Sequence, residues 1–123
     1  MTKELHITIK PLKQALTEFA IVFGKVKRGE KVKPHYELSF ENIDTLRTFL
    51  TRNRLDLLSI IKDKKPNSIY ELSKITNRDI KSIVTDLKTL EMRELVKLKK
   101  QKTGRNNVVP EVVYDKIMIS IEV

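Results

Sequence analysis

The stretch SIYELSKITNRDIKSIVTDLKTLEMRELVKLKK, Ser68 to Lys100, holds two short apolar periodicities and then a run in which apolar and basic residues alternate. Ser68-Ile-Tyr-Glu71 has the form of a capping box, in which the serine oxygen accepts the amide three residues on and the glutamate reaches back, so a helix is expected to start there. Ile69, Leu72 and Ile75 make its apolar edge. It is expected to last about two turns, because Thr76 and Asn77 come next and asparagine, after glycine, best tolerates a left-handed backbone. Ile80, Ile83, Val84, Leu87 and Leu90 then repeat at helical spacing, which predicts a second helix over about Arg78 to Glu91. Its other side carries Arg78, Lys81, Ser82, Thr85 and Lys88.

Helix, tight turn and helix with such an outer face is the arrangement in which a second helix enters the DNA major groove. Arg and Lys donate to guanine edges or phosphates, and Ser and Thr reach base edges or the thymine methyl. Asn77 in the turn, with Ser68 and Tyr70 at the first helix, are candidates for further contacts. An ordinary two-helix hairpin with a solvated polar face has the same periodicity. The segment after the second helix favours the DNA reading, because Leu95 to Lys100 looks like a strand, Gln101 to Asn107 a basic turn and Val108-Val109 a return strand. This wing, about Leu95 to Val109, would offer Lys99, Lys100, Lys102, Thr103 and Arg105 to the phosphate backbone. Pro110 is expected to interrupt the hairpin, and Asp86 to pair with a neighbouring Lys or Arg.

Outward from this centre, Thr51 is placed to cap a helix with Leu55, Leu58 and Ile61 on one face, which "DKKPNS" (Asp63 to Ser68) breaks. Ser39 is expected to cap the helix before it, with Ile43, Leu46, Phe49 and Leu50 as its apolar positions. Near the amino terminus Leu5, Ile7 and Ile9 alternate as in a strand. Pro11 opens a helix with an apolar stripe of Leu12, Ala15, Leu16, Phe19, Val22, Phe23 and Val26, and Gly29 ends it. Lys25 to Pro34 reads as a basic connector. Ile117, Ile119, Ile121 and Val123 mirror the first strand, so the first and last strands are expected to pair, within one chain or between two. The stripe either packs over that sheet or forms a homodimer interface. The expected organisation is α+β, with a strand-helix extension over 1–34 and a winged helix-turn-helix domain with a C-terminal strand over 35–123.

Charge agrees with a polyanionic partner. The chain of 123 residues has a formal net charge of +9, and residues 51 to 105 hold 15 basic against 7 acidic side chains. It has no cysteine, which excludes disulfide frameworks and cysteine-ligated zinc. No apolar run is long enough for a membrane span and no signal peptide is evident, so a cytoplasmic protein is expected. The two histidines, His6 and His35, fall in no catalytic or metal-ligating pattern, and the three glycines form no phosphate loop. Neither an enzyme nor a metal or other cofactor is expected. Phe19, Phe23, Phe40 and Phe49 fall on apolar faces, which leaves few rings to stack on single strands and favours duplex DNA over RNA.

Leu38 to Ile61, Ser68 to Glu91 and Val113 to Val123 together resemble the MarR-like winged helix-turn-helix family of prokaryotic transcriptional regulators that carries an N-terminal strand-helix extension. Glu71-Leu72, Arg78-Asp79, Lys81, Asp86, Lys88 and Leu90 match that family's pattern, as does Tyr114-Asp115 before the alternating isoleucines. Asn77 stands where the family tends to have glycine, Thr85 where it tends to have a basic residue, and Arg93-Glu94 replace the usual glycine turn. The resemblance implies repression or regulation by direct binding to double-stranded DNA, usually as a homodimer. Some members resemble antitoxins that restrain a small toxin encoded beside them while repressing their own promoter, which is a second, compatible reading.

Overall fold

Alternation of apolar residues at the amino terminus produces β1 (Glu4–Ile9), and the computed structural model describes residues 3–30, 37–101 and 108–123 of the chain. The fold is α+β and divides into two units, Met1–Thr48 with Lys116–Val123, and Phe49–Asp115. A boundary near residue 34 was the expectation from sequence. It is displaced because β1 pairs in parallel with both β2 (Glu37–Phe40) and β5 (Lys116–Ile121), which draws those strands into the first unit.

In that unit the strand order is β2-β1-β5, with His6 opposite Glu37 and Glu4 opposite Lys116. The first and last strands therefore pair within one chain. Parallel neighbours need a long crossover, and α1 (Leu12–Lys27) supplies it between β1 and β2. In the central strand β1, Leu5, Ile7 and Ile9 are buried on one face, while on the other Thr8 and, beyond the strand, Lys10 are buried and His6 is exposed. Lys10 is held by the carboxylates of Glu18 on α1 and Glu37 on β2. The hydrogen bond to Glu18 and the charge of Glu37 outweigh burial and raise the Lys10 pKa above its ordinary value. Gln14 donates to Glu122, so the side of α1 that carries Gln14 and Glu18 faces the sheet.

The rest of α1 departs from a helix packed by its apolar stripe. Leu16, Phe19, Phe23 and Val26 are 58%, 66%, 58% and 59% exposed. The side chain of Leu12 is outside the described part. Gly29, at φ 77°, closes the helix with its amide on the Val26 carbonyl. Ser39 does not cap the next helix: it lies in β2, and Asn42 accepts the Thr45 amide at 2.8 Å to start α2 (Ile43–Phe49). β5 is an edge strand, and Ile119 and Ile121 are half exposed or more.

The second unit contains α3 (Arg52–Lys64), α4 (Ile69–Thr76), α5 (Ile80–Met92), β3 (Lys97–Lys100) and β4 (Val108–Glu111). Thr51 caps α3 by accepting the Arg54 amide. The buried face of α3 is Leu57, Leu58 and Ile61, while Leu55, expected inside, is 43% exposed. Lys65 ends the helix in a left-handed conformation, φ 48°, ahead of the buried Pro66. With Leu72, Ile83, Leu87, Leu90, Leu95 and Val96 these residues make one core. Leu95 and Val96 enter that core ahead of β3, so the strand is shorter than its sequence pattern. Pro110 does not interrupt the hairpin. It lies inside β4 opposite Leu98, and both strands of a two-stranded ladder are edges, where a missing N–H can face outward.

Candidate nucleic-acid interface

The first cap is half of the expected box. The Ser68 oxygen accepts the Glu71 amide at 3.0 Å, but Glu71 accepts from the Asn67 amide, one residue earlier than expected. The Ser68 oxygen is thus engaged in the cap. Further along, Asn77 takes φ 53° and ψ 42°, the left-handed conformation read from its chemistry. Its turn is locked from both sides: the Arg78 amide donates to the Ser73 carbonyl, and the Ser73 hydroxyl donates to the Arg78 carbonyl at 2.7 Å.

Arg78 and Asp79 belong to this turn rather than to α5, which starts at Ile80 with Asp79 as an extended N-cap that makes no side-chain cap hydrogen bond. Arg78, expected on the outer face, points its Nη2 at Asp86 Oδ2, 2.7 Å away. The other Asp86 oxygen accepts from Arg54 Nε at 3.1 Å, and Arg54 Nη1 donates to the Phe49 carbonyl at 2.8 Å. One carboxylate, 14% exposed, thereby ties α3, the turn and α5 together. Arg54 and Ser73 were not among the residues singled out from sequence. Their partners lie 32 and 5 positions away, and only the separation of 5 is near enough for local turn chemistry to suggest it.

With Ile83, Leu87 and Leu90 inward, α5 turns Lys81, Ser82, Thr85 and Lys88 to solvent. Lys81, Thr85 and Lys88 fall within one narrow stripe at 100° per residue. Among the described residues neither lysine makes an ion pair. The Thr85 hydroxyl donates to the Lys81 carbonyl, which leaves its methyl as the group to present. Tyr70 is 60% exposed on α4, with Lys74 Nζ 5.2 Å from its ring centroid.

In the hairpin, Lys99 is not an unengaged cation: its Nζ lies 2.8 Å from Glu111 of β4. That hydrogen bond and charge lower the Glu111 pKa. Lys100 is exposed. Lys102, Thr103 and Arg105, expected at the tip, lie outside the described residues, as do His35 and the end of the basic connector. Among the described residues no three His, Asp or Glu side chains gather as a metal site, and no helix is long and apolar enough to cross a membrane.

Compared with known proteins, residues 49–119 match the model of the HVO_A0114 family, a span that runs from the end of α2 through the hairpin into β5. No curated protein matches the chain.

Proposed function

We propose that this chain, which belongs to the HVO_A0114 family, is a sequence-specific double-stranded DNA-binding regulator of transcription that uses the second unit as a winged helix-turn-helix. The observation that carries this is the outer stripe of α5. Lys81, Thr85 and Lys88, with Ser82 beside them, extend over about two turns, opposite a fully buried face and directly after a locked turn. A helix about 10 Å across fits the major groove, where lysine donates to guanine O6 and N7 and a threonine methyl meets thymine. The β3–β4 hairpin takes the part of the wing, with Lys100 toward the phosphates. The charge excess of residues 51 to 105 supplies attraction that is independent of sequence. Repression is the regulatory sense favoured by the resemblance to MarR-like regulators.

The test is a titration of labelled duplexes, the gene's own upstream region against scrambled sequence, with the native chain and with Lys81→Ala, Lys88→Ala and Lys100→Ala. Lys81→Ala or Lys88→Ala is expected to cost about 1 to 3 kcal/mol on the preferred site and to relax base preference, whereas Lys100→Ala weakens all duplexes alike. If about six phosphates are contacted, log K falls against log salt with a slope near −5. Equal losses on every sequence for Lys81→Ala, or a flat salt profile, would remove the reading.

A further inference from the structure

We infer that the cavity between α1 and the sheet of the first unit is a binding site for a small primary alkylammonium ion, held at its charged end by Thr8, Ser120 and Glu122. The inference is independent of DNA binding. The cavity, of about 470 Å³, is within the size range of small-molecule sites, and its lining divides into a polar floor and an apolar side. Thr8, Lys10, Ser120 and Glu122 of the sheet and its strand ends make the floor, and Ile21 and Val22 of α1 make the side.

A parallel sheet face covered by a helix ordinarily carries Val, Ile and Leu. The other face of β1 does so with Leu5, Ile7 and Ile9, whereas the face under α1 does not. Part of this polarity is answered within the protein. Lys10 lies between the carboxylates of Glu18 and Glu37, and Gln14 donates to both Glu18 and Glu122, bonds that hold α1 on the sheet. They leave bonding capacity at Thr8, Ser120 and Glu122. Thr8 is only 8% exposed, and among the described residues its hydroxyl has no hydrogen-bond partner. No fully enclosed side-chain oxygen of the described residues lacks a partner, so the Thr8 hydroxyl opens on the cavity that the residue lines. Ser120, opposite Thr8 in the β1–β5 ladder, also has an unengaged hydroxyl among the described residues. Glu122 accepts from the neutral Gln14 amide and makes no ion pair with a described residue.

These acceptors select the ligand. A primary ammonium carries one charge and three N–H donors, and one carboxylate with two hydroxyl oxygens answers both. Thr8 and Ser120 sit on adjacent strands about 4.8 Å apart, and Glu122 follows Ser120 by about 7 Å on the same face, so their side chains can share one nitrogen. An anion would face the carboxylates of Glu18, Glu37 and Glu122 against the single ammonium of Lys10. A quaternary ammonium is recognised by aromatic faces, and no aromatic residue is among the described residues of the lining. Ile21 and Val22 give a short alkyl chain its apolar contact.

The test is a titration of the nitrogen-15-labelled full chain with n-butylammonium chloride at pH 7, where such an amine is protonated, read by amide chemical shifts. Saturable shifts centred on Thr8, Ser120 and the facing part of α1 are expected, with a Kd on the order of 1 mM, as suits so small a ligand. Butanol, with the tail but no charge, and tetramethylammonium, with the charge but no N–H, are expected not to saturate. Thr8→Val removes the hydroxyl at nearly constant shape, and Glu122→Gln removes the charge while keeping an acceptor for Gln14. Each is expected to weaken butylammonium about tenfold, with an unchanged thermal transition. Asp56→Asn, on an exposed part of α3, is expected to bind as the native chain does. Glu122 is exposed at the end of β5, so its variant serves even if Thr8→Val fails to fold. Absence of saturation up to about 20 mM overturns the inference, as does tetramethylammonium binding as well as butylammonium. So does a folded Glu122→Gln variant with native affinity.

Discussion

Replacing Asp86 by alanine removes the carboxylate shared by Arg54 and Arg78, whose side chains are only 17% and 26% exposed. Breaking a fully buried ion pair by deleting one partner costs about 3 to 5 kcal/mol, and an exposed pair is worth about 0 to 1. The Asp86 site lies nearer the first case. Both guanidinium groups keep some solvent, however, and Arg54 keeps the Phe49 carbonyl. The expected loss is therefore about 2 to 3 kcal/mol, which for a chain of this size lowers Tm by roughly 10 °C. Asp86→Asn retains one carbonyl acceptor and is expected to lose about half as much. The assay is urea unfolding followed by far-UV circular dichroism, completed as double-mutant cycles with Arg54→Ala and Arg78→Ala. Coupling of about 1 kcal/mol or more is expected with each arginine. A loss below about 0.5 kcal/mol for Asp86→Ala, with no coupling to either, would show that the two pairs are worth no more than surface contacts and that another interaction holds the turn on α5.

Glu94 stands at φ 62°, where a side chain costs about 1 kcal/mol that glycine does not. Glu94→Gly is therefore expected to stabilise the chain by a few tenths of a kcal/mol after the greater freedom of glycine when unfolded is set against it, and a lower Tm would refute this. The Glu111 carboxylate has its pKa lowered by Lys99, so their pair stabilises the hairpin above the ordinary glutamate range and is lost as pH falls through the lowered value. In Lys99→Ala the Glu111 midpoint, followed by carboxyl NMR, is expected to move upward; an unmoved midpoint would remove the pairing.

Features that act over a few residues were readable in advance. Thr51 and Ser68 cap where their chemistry says, and Asn77 adopts the left-handed turn, because each is decided by neighbours within four positions. Lys81, Ser82, Thr85 and Lys88 emerge on the outside of α5 because the inward residues of that helix are strongly periodic. Longer-range features were not readable. Nothing local distinguishes Leu57 from Leu55 as the buried residue of α3, and nothing local gives the parallel sense of β1 and β5. Ser39 looks like a cap until β1 recruits it into a strand. Arg78 has the chemistry of a base-reading residue, yet Asp86, 8 positions along the chain, claims it, and Arg54 joins from 32 positions upstream.

The pairing of Glu4 with Lys116 also has a temporal consequence. During synthesis β1 leaves the ribosome 112 positions ahead of the strand that completes its ladder, while Phe49–Asp115 is contiguous and free to collapse in the interval. The helical unit is therefore poised to mature first. Until β5 arrives, the nascent chain carries one bare flank of β1, a window for erroneous strand addition that closes only when β5 docks.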